Sequence, residues 1–176
     1  VRGTHDIFGE EIEKFNRISN IVSKNANLKD FKEIQTPIFE FSDLFAKPLG
    51  EHSDVVLKEM YSFEDRNNEY LTLRPEYTTP MIRAAITNNL LNDLPLKIFG
   101  IGPMFRRERP QKGRYRQFNQ INFEILGTKD FLADVELILL SNNILKELLP
   151  KSNIRLQINS LGDKETLINF KKSLTK

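Results

Sequence analysis

At 176 residues with 39% hydrophobic content, the chain is long enough for one well-packed core and short for two independent domains. Its 26 Lys and Arg against 24 Asp and Glu leave a net charge of only +2, which argues against a basic coat for nucleic acid and assigns any anion recognition to local clustering. No cysteine is present, so a disulfide scaffold, a thiolate metal site and a cysteine nucleophile are excluded within these residues.

No apolar run approaches the roughly 20 residues that span a bilayer, and the opening VRGTHDIFGEEIEKF has no apolar signal core. A soluble protein of the reducing cytoplasm, with no membrane partner, is the expectation. The opening at Val1 and the close at SLTK, just after a helix signal, suggest part of a longer polypeptide.

From Glu10 to Leu28, Ile12, Phe15, Ile18 and Val22 recur at helical spacing and predict a surface helix. Phe31 to Phe41, FKEIQTPIFEF, reads as a strand whose Pro37 removes a ladder donor and favours an edge or a contact outside the sheet. Tyr61 to Phe63 and Glu69 to Leu73 flank the polar turn EDRNN and predict a hairpin. Thr78 to Leu91 reads as a helix with Pro80 in its first turn, and Pro95 opens a new element. Leu96 to Arg107 and Tyr115 to Leu126 read as two long strands joined by RERPQKGR, where Pro110 and Gly113 mark a loop. Asp130 to Leu149 is a long helix with Asp130 as its N-cap. Ile154, Leu156 and Ile158 alternate as a final strand, and Asp163 to Leu174 opens another helix.

Hairpins grouped with helices, without a βαβ rhythm, predict an α+β domain with a mainly antiparallel sheet flanked by helices. No G-x-G-x-x-G follows a strand and no P-loop is present, which disfavours the common nucleotide-binding folds.

The second hairpin concentrates the charge. Met104 to Glu124, MFRRERPQKGRYRQFNQINFE, holds five arginines and one lysine in 21 residues. Residues two apart on a strand share a face, so Arg114, Arg116 and Phe118 can line up, followed by Gln120, Asn122 and Glu124. Arg106 and Glu108 share a face of the partner strand. Guanidinium forks grip phosphate oxygens, an aromatic plane stacks on a base, and an amide with a carboxylate receives a polar ligand. The plain alternative is a solvated edge hairpin whose arginines are balanced by Glu108 and Glu124.

MFRRERPQKGRYRQF resembles motif 2 of the class II aminoacyl-tRNA synthetases, a Phe-Arg-x-Glu strand, a variable loop, then Arg-x-x-x-Phe. More narrowly, GPMFRRERPQKGRYRQFNQ is similar to the form found in histidyl-tRNA synthetases. RGTHDIFG, the Pro37 strand as motif 1, VVLKEMYSFEDRNN and LTLRPEYT follow in that family's order, so the resemblance covers nearly the whole chain.

The resemblance implies a histidine–tRNA ligase that joins histidine to AMP from ATP, with Mg2+ arriving alongside the nucleotide, and then passes it to tRNA(His). It implies that Arg106 contacts the α-phosphate and the amino-acid carboxylate, Glu108 the adenine amino edge, Phe118 the ring and Arg114 the outer phosphates. Glu76 and Thr78 would receive the substrate's α-ammonium, with Gln120 and Glu124 lining the pocket around the substrate. Arg109, Gln111 and Lys112 would approach the tRNA acceptor end. The motif 1 region implies a homodimer. His5 and His52 are isolated, and no metal site is expected from them.

The chain departs from the family's usual pattern at Arg107 and Asn119, where histidine is common, and at Tyr77 and Phe123, whose bulk would reshape the pocket wall. No second histidine-family signature, Gly-rich motif 3 or anticodon-binding domain is found before Lys176. The 1–176 segment thus reads as the N-terminal portion of a catalytic domain, expected to be inactive or weakly active alone. A non-catalytic relative that regulates histidine biosynthesis is the competing reading, but it offers no physical reason to keep the cationic loop.

Overall fold

The computed structural model describes residues 1–49, 58–159 and 162–174. His52 and the Val55–Leu57 end of the VVLKEMYSFEDRNN stretch lie outside the described residues.

Helix α1 spans Glu10–Asn27, with three glutamates in its first turn and Lys24 in its last, the order that suits the helix dipole. The predicted Phe31 to Phe41 strand is two strands, β1 (Lys32–Glu33) and β2 (Phe39–Phe41), in different sheets. Pro37, without an N–H and with a fixed φ, sits between them, outside both ladders, and each of the two strands lies at the edge of its sheet. Helix α2 (Asp43–Leu49) follows. Strands β3 (Tyr61–Glu64) and β4 (Tyr70–Leu73) form the predicted hairpin, and β2 pairs antiparallel with the other edge of β4.

Helix α3 spans Thr78–Thr87 and is followed by a short 3-10 turn at Leu90–Asn92. Strands β5 (Leu96–Phe105) and β6 (Gln117–Leu126) are antiparallel over their whole length, and β1 adds to β5 in parallel. Two three-stranded sheets result, β1-β5-β6 and β2-β4-β3. The expected mainly antiparallel α+β architecture holds, with one parallel pair.

Helix α4 covers Phe131–Leu148, and Asp130 caps it by accepting from the Leu132 N–H at 3.0 Å. Helix α5 covers Lys164–Leu174, where Asp163 accepts from the Thr166 N–H at 2.8 Å. The expected strand at Ile154 to Ile158 is not formed. Leu156 and Ile158 are 63% and 75% exposed, and among the described residues no strand lies beside them to complete a ladder. Alternation signals a strand only where a partner satisfies its backbone.

Strand alternation divides the long hairpin into two faces. Phe99 and Ile101 of β5, with Phe123 and Ile125 of β6, pack on Val22, Ala26, Phe31, Leu140 and Ile144 beneath α1 and α4. Phe123 stands edge-on to Phe31 and stacked on Phe99. Each large apolar side chain fully buried there contributes about 1.5–3 kcal/mol. Glu147 clasps the two helices, accepting from Lys24 at 2.9 Å and Asn25 at 3.0 Å. Those two hydrogen bonds, Lys24 first, hold its carboxyl below the ordinary 4.5. The clasp is therefore complete above that value and is lost as pH falls through the lowered folded value.

The opposite face carries Ile98 and Met104, packed with Tyr77, Met81 and Ala85. Between Ile98 and Met104 the same face holds only Gly100 and Gly102, and the Tyr77 ring fills the gap. A Cβ at Gly100 would meet Tyr77 Cε1 at 2.6 Å and Cζ at 2.8 Å. Gly100→Ala should therefore destabilise the fold by about 1–3 kcal/mol through overpacking, read as a lower denaturant midpoint with unchanged slope.

Candidate functional site

The Phe118, Gln120, Asn122 and Glu124 side chains follow one another along β6, opposite Met104, Gly102, Gly100 and Ile98 of β5. Period-2 geometry puts all eight on the face that meets Tyr77 and α3, away from α1 and α4. From Phe118 to Glu124 the row runs about 20 Å at 3.3–3.4 Å per residue, long enough for an extended ligand.

At one end the backbone of Arg106 continues the ladder, its N–H donating to the Arg116 carbonyl at 2.9 Å. Its side chain crosses to the turn before α3, where Nε donates to the Pro75 carbonyl at 2.8 Å. The guanidinium carbon lies 5.3 Å from the Phe118 ring centroid. Arg106 is not paired with Glu108, the simple structural alternative for this residue. Instead Glu108 pairs with Arg114 across the loop, so two residues expected on separate parts of one nucleotide are each other's partners.

The loop explains that pairing. Gln111 and Arg114 bridge each other around Gly113, whose φ of +78° favours glycine. The turn lifts Arg114 out of register, and β6 begins only at Gln117. Arg116 also leaves the expected row: its Nε donates to the Glu108 carbonyl at 3.2 Å and its Nη1 to the Arg2 carbonyl at 3.4 Å. Its own N–H donates to the Gly3 carbonyl at 2.7 Å, docking the RGTHDIFG segment against the hairpin. Arg109, Gln111 and Lys112 lie on this loop, with Arg109, Gln111 and Lys112 exposed to solvent.

At the other end of the row, Thr78 donates its hydroxyl to Glu124 Oε1 at 2.7 Å. Asn122 Nδ2 lies 2.7 Å from the same carboxylate oxygen and 3.2 Å from the Thr78 hydroxyl. Glu124 is thereby oriented by two donors on two elements, an arrangement that leaves lone pairs of the carboxylate for a further donor. Gln120 stands between the two ends, and its buried Oε1 has no hydrogen-bond partner among the described residues. A buried carbonyl of this kind can take its donor from a bound molecule or an ordered water.

Glu76 is not bridged to Arg74. It accepts from the Thr79 N–H at 2.9 Å and steadies the first turn of α3. Tyr77 and Phe123, expected in the pocket wall, are in the two cores: Tyr77 is 1% exposed and packed against Gly100, and Phe123 faces the α1 and α4 side. The sequence places Asn122 in the row without giving it a role, and it does not point to the Pro75 carbonyl. Asn122 sits in the correct alternation to be found, whereas a backbone acceptor has no side-chain signal.

Among the described residues no three His, Cys, Asp or Glu side chains converge on a metal-sized point, and His5 packs on Tyr115 with ring centroids 4.9 Å apart. A cleft of about 670 Å³ lined by Lys32, Glu33, Asn92, Pro95 and Leu96 lies at the far end of β5 and carries none of the expected site residues.

A long antiparallel hairpin bearing a cation and an aromatic at its loop end, backed by helices and followed by a carboxylate pocket, defines the catalytic-domain fold of the class II aminoacyl-tRNA synthetases. The family model described as histidyl-tRNA synthetase matches residues 3–169. The chain belongs to the histidyl-tRNA synthetase family. It is 51% identical over 174 residues to the histidine–tRNA ligase of Ehrlichia canis, covering 99% of this chain and 42% of that protein. The crystal structure of apo S. aureus histidyl-tRNA synthetase superposes with a TM-score of 0.70 at 34% identity, over 84% of this chain and 34% of that one. An ATP phosphoribosyltransferase regulatory subunit/histidyl-tRNA synthetase from Bacillus halodurans shares the fold, with a TM-score of 0.72 at 23% identity over 83% of this chain and 37% of that one. The chain spans about 42% of the length of the curated relatives it matches.

The Glu108–Arg114 pair closes the cationic loop on itself. Glu108→Gln should open it and raise the rate of tryptic cleavage after Lys112 several-fold, followed by mass spectrometry, with the β5–β6 core still protected.

Proposed function

We propose that this chain supplies the front half of the active site of a cytoplasmic histidine–tRNA ligase acting on histidine, ATP and tRNA(His). The observation that carries the reading is the order of groups along β6: Arg106 over Phe118 at one end, Thr78 and Asn122 holding Glu124 at the other.

In this reading the adenine ring stacks on Phe118 and the α-phosphate meets Arg106. The histidine carboxylate, drawn to the same guanidinium, attacks phosphorus in line, and pyrophosphate leaves. The carboxylate is already an anion, so the chemistry needs neutralisation and alignment rather than a strong base. Mg2+ accompanies ATP as its counter-ion. Glu108 and Arg114 exchange their mutual contact for the adenine edge and the outer phosphates. Glu76 and Thr78 receive the α-ammonium, and the unpartnered Gln120 oxygen takes a donor from the substrate.

Glu124 selects the side chain. Its carboxylate, with one oxygen already engaged by Thr78 and Asn122, accepts an imidazole N–H that an apolar amino acid lacks, and a buried acceptor left unpaired penalises the wrong substrate. Arg109, Gln111 and Lys112 extend towards the tRNA acceptor end, where phosphate contacts would bring salt-dependent affinity. The Pro37 region, with Ile38, Phe39 and Phe41 exposed beside it, forms the homodimer interface. The regulatory reading leaves the loop cations without a purpose, because a protein that handles no nucleotide phosphates gains nothing from them.

Three measurements test this on a version of the chain continued to the length of its curated relatives. Pyrophosphate exchange into ATP should require histidine and no other amino acid; exchange with another amino acid, or none at all, contradicts the proposal. Arg106→Ala should cost about 3–4 kcal/mol of transition-state stabilisation, two to three orders of magnitude in rate. In sedimentation the extended protein should run as a dimer at micromolar concentration; a monomer overturns the assignment of the Pro37 face.

A further inference from the structure

Arg74 is 3% exposed, yet no carboxylate among the described residues pairs with it. Its Nε donates to the Pro103 carbonyl at 3.0 Å, while Nη1 lies 2.9 Å from the Thr36 carbonyl, 3.0 Å from the Thr36 hydroxyl and 3.4 Å from the Pro37 carbonyl. The guanidinium carbon is 4.3 Å from the Tyr77 ring centroid. Its backbone is engaged on both sides as well: the N–H donates to the Ile38 carbonyl at 2.9 Å, and the carbonyl accepts from the Phe105 N–H at 3.0 Å.

A buried cation satisfied only by neutral oxygens and an aromatic face is a poor stabiliser, because desolvation offsets most of what its hydrogen bonds return. Its placement has another consequence. Pro75 follows directly, with a fixed φ and no N–H of its own, and Glu76 is tied to the first turn of α3. The Pro75 carbonyl is therefore clamped from both sides, and it is the acceptor that aims Arg106.

We propose that Arg74 is a positioning residue, which locks the Pro75 carbonyl and through it holds the Arg106 guanidinium in the orientation the site uses. The functional part of this inference rests on the role proposed for Arg106; the geometric part does not. Lysine at position 74 keeps the charge but cannot reach several carbonyls from one rigid fork, so Arg74→Lys separates orientation from electrostatics.

The first test needs no activity. In the arginine Nε–Hε spectrum of this chain, with the Arg106 signal assigned through Arg106→Lys, Arg74→Lys should shift that signal and speed its solvent exchange, leaving the β5–β6 amides in place. An unmoved, equally protected Arg106 signal overturns the inference. The second uses the extended protein: Arg74→Lys should lower kcat for exchange on the order of a hundredfold, as for a small misplacement of a reacting group, with the KM for histidine and for ATP close to wild type. In an Arg106→Lys background that loss should largely disappear, whereas an undiminished loss there contradicts action through Arg106. Absence of exchange in the unmutated extended protein would refute the proposed ligase activity, and the spectrum would still decide on Arg74.

Discussion

The antiparallel ladder between β5 and β6 is the constraint on which the rest of the molecule depends. Ten residues on each side pair without a bulge, so every side chain is committed to one of two faces. A slip of β6 by one residue would send Phe123 and Ile125 to the polar side and bury Glu124 and Asn122 beneath α1 and α4. The apolar set under those helices therefore fixes where the polar row lies. Stability on one face specifies chemistry on the other.

The polar face has its own packing problem, and two glycines solve it. Gly100 and Gly102 remove bulk from the middle of β5, which admits the Tyr77 ring and the Arg74 guanidinium against the sheet. That arrangement brings the β4–α3 turn close enough for Pro75 to receive Arg106 and for Thr78 to reach Glu124. The two sheets meet through this turn, with Arg74 bonded to Thr36 and Pro37 on one side and Pro103 on the other. Arg83 and Glu40 add an ion pair between α3 and β2. Residues distant in sequence thus share one rigid support.

Much of this was legible in the sequence. Period-2 alternation placed Phe118, Gln120, Asn122 and Glu124 on one face, and Asp130 read correctly as a cap. Elements held together by non-local partners were harder to read. The Phe31 to Phe41 run has strand composition throughout, and only the separate pairings of β1 with β5 and β2 with β4 reveal it as two strands. Ile154 to Ile158 alternates correctly but has no neighbouring strand in the described residues. Arg114 and Arg116 follow the right spacing, but the left-handed Gly113 and the docking of Gly3 redirect them. Tyr77 looked like a pocket residue because bulk is visible in a sequence, whereas the glycines that receive it lie more than twenty positions away.

The cation over the aromatic plane and the carboxylate are thus held at opposite ends of one face of the hairpin, and the account stands or falls on whether a single ligand spans them in that order. The most direct measurement is a crystal structure of this chain with a non-hydrolysable histidyl-adenylate analogue. The account predicts the adenine on Phe118, the phosphate mimic at Arg106 and the imidazole against Glu124. An analogue bound away from the β6 face, or lying along it in the reverse direction with its adenine at Glu124, would contradict it.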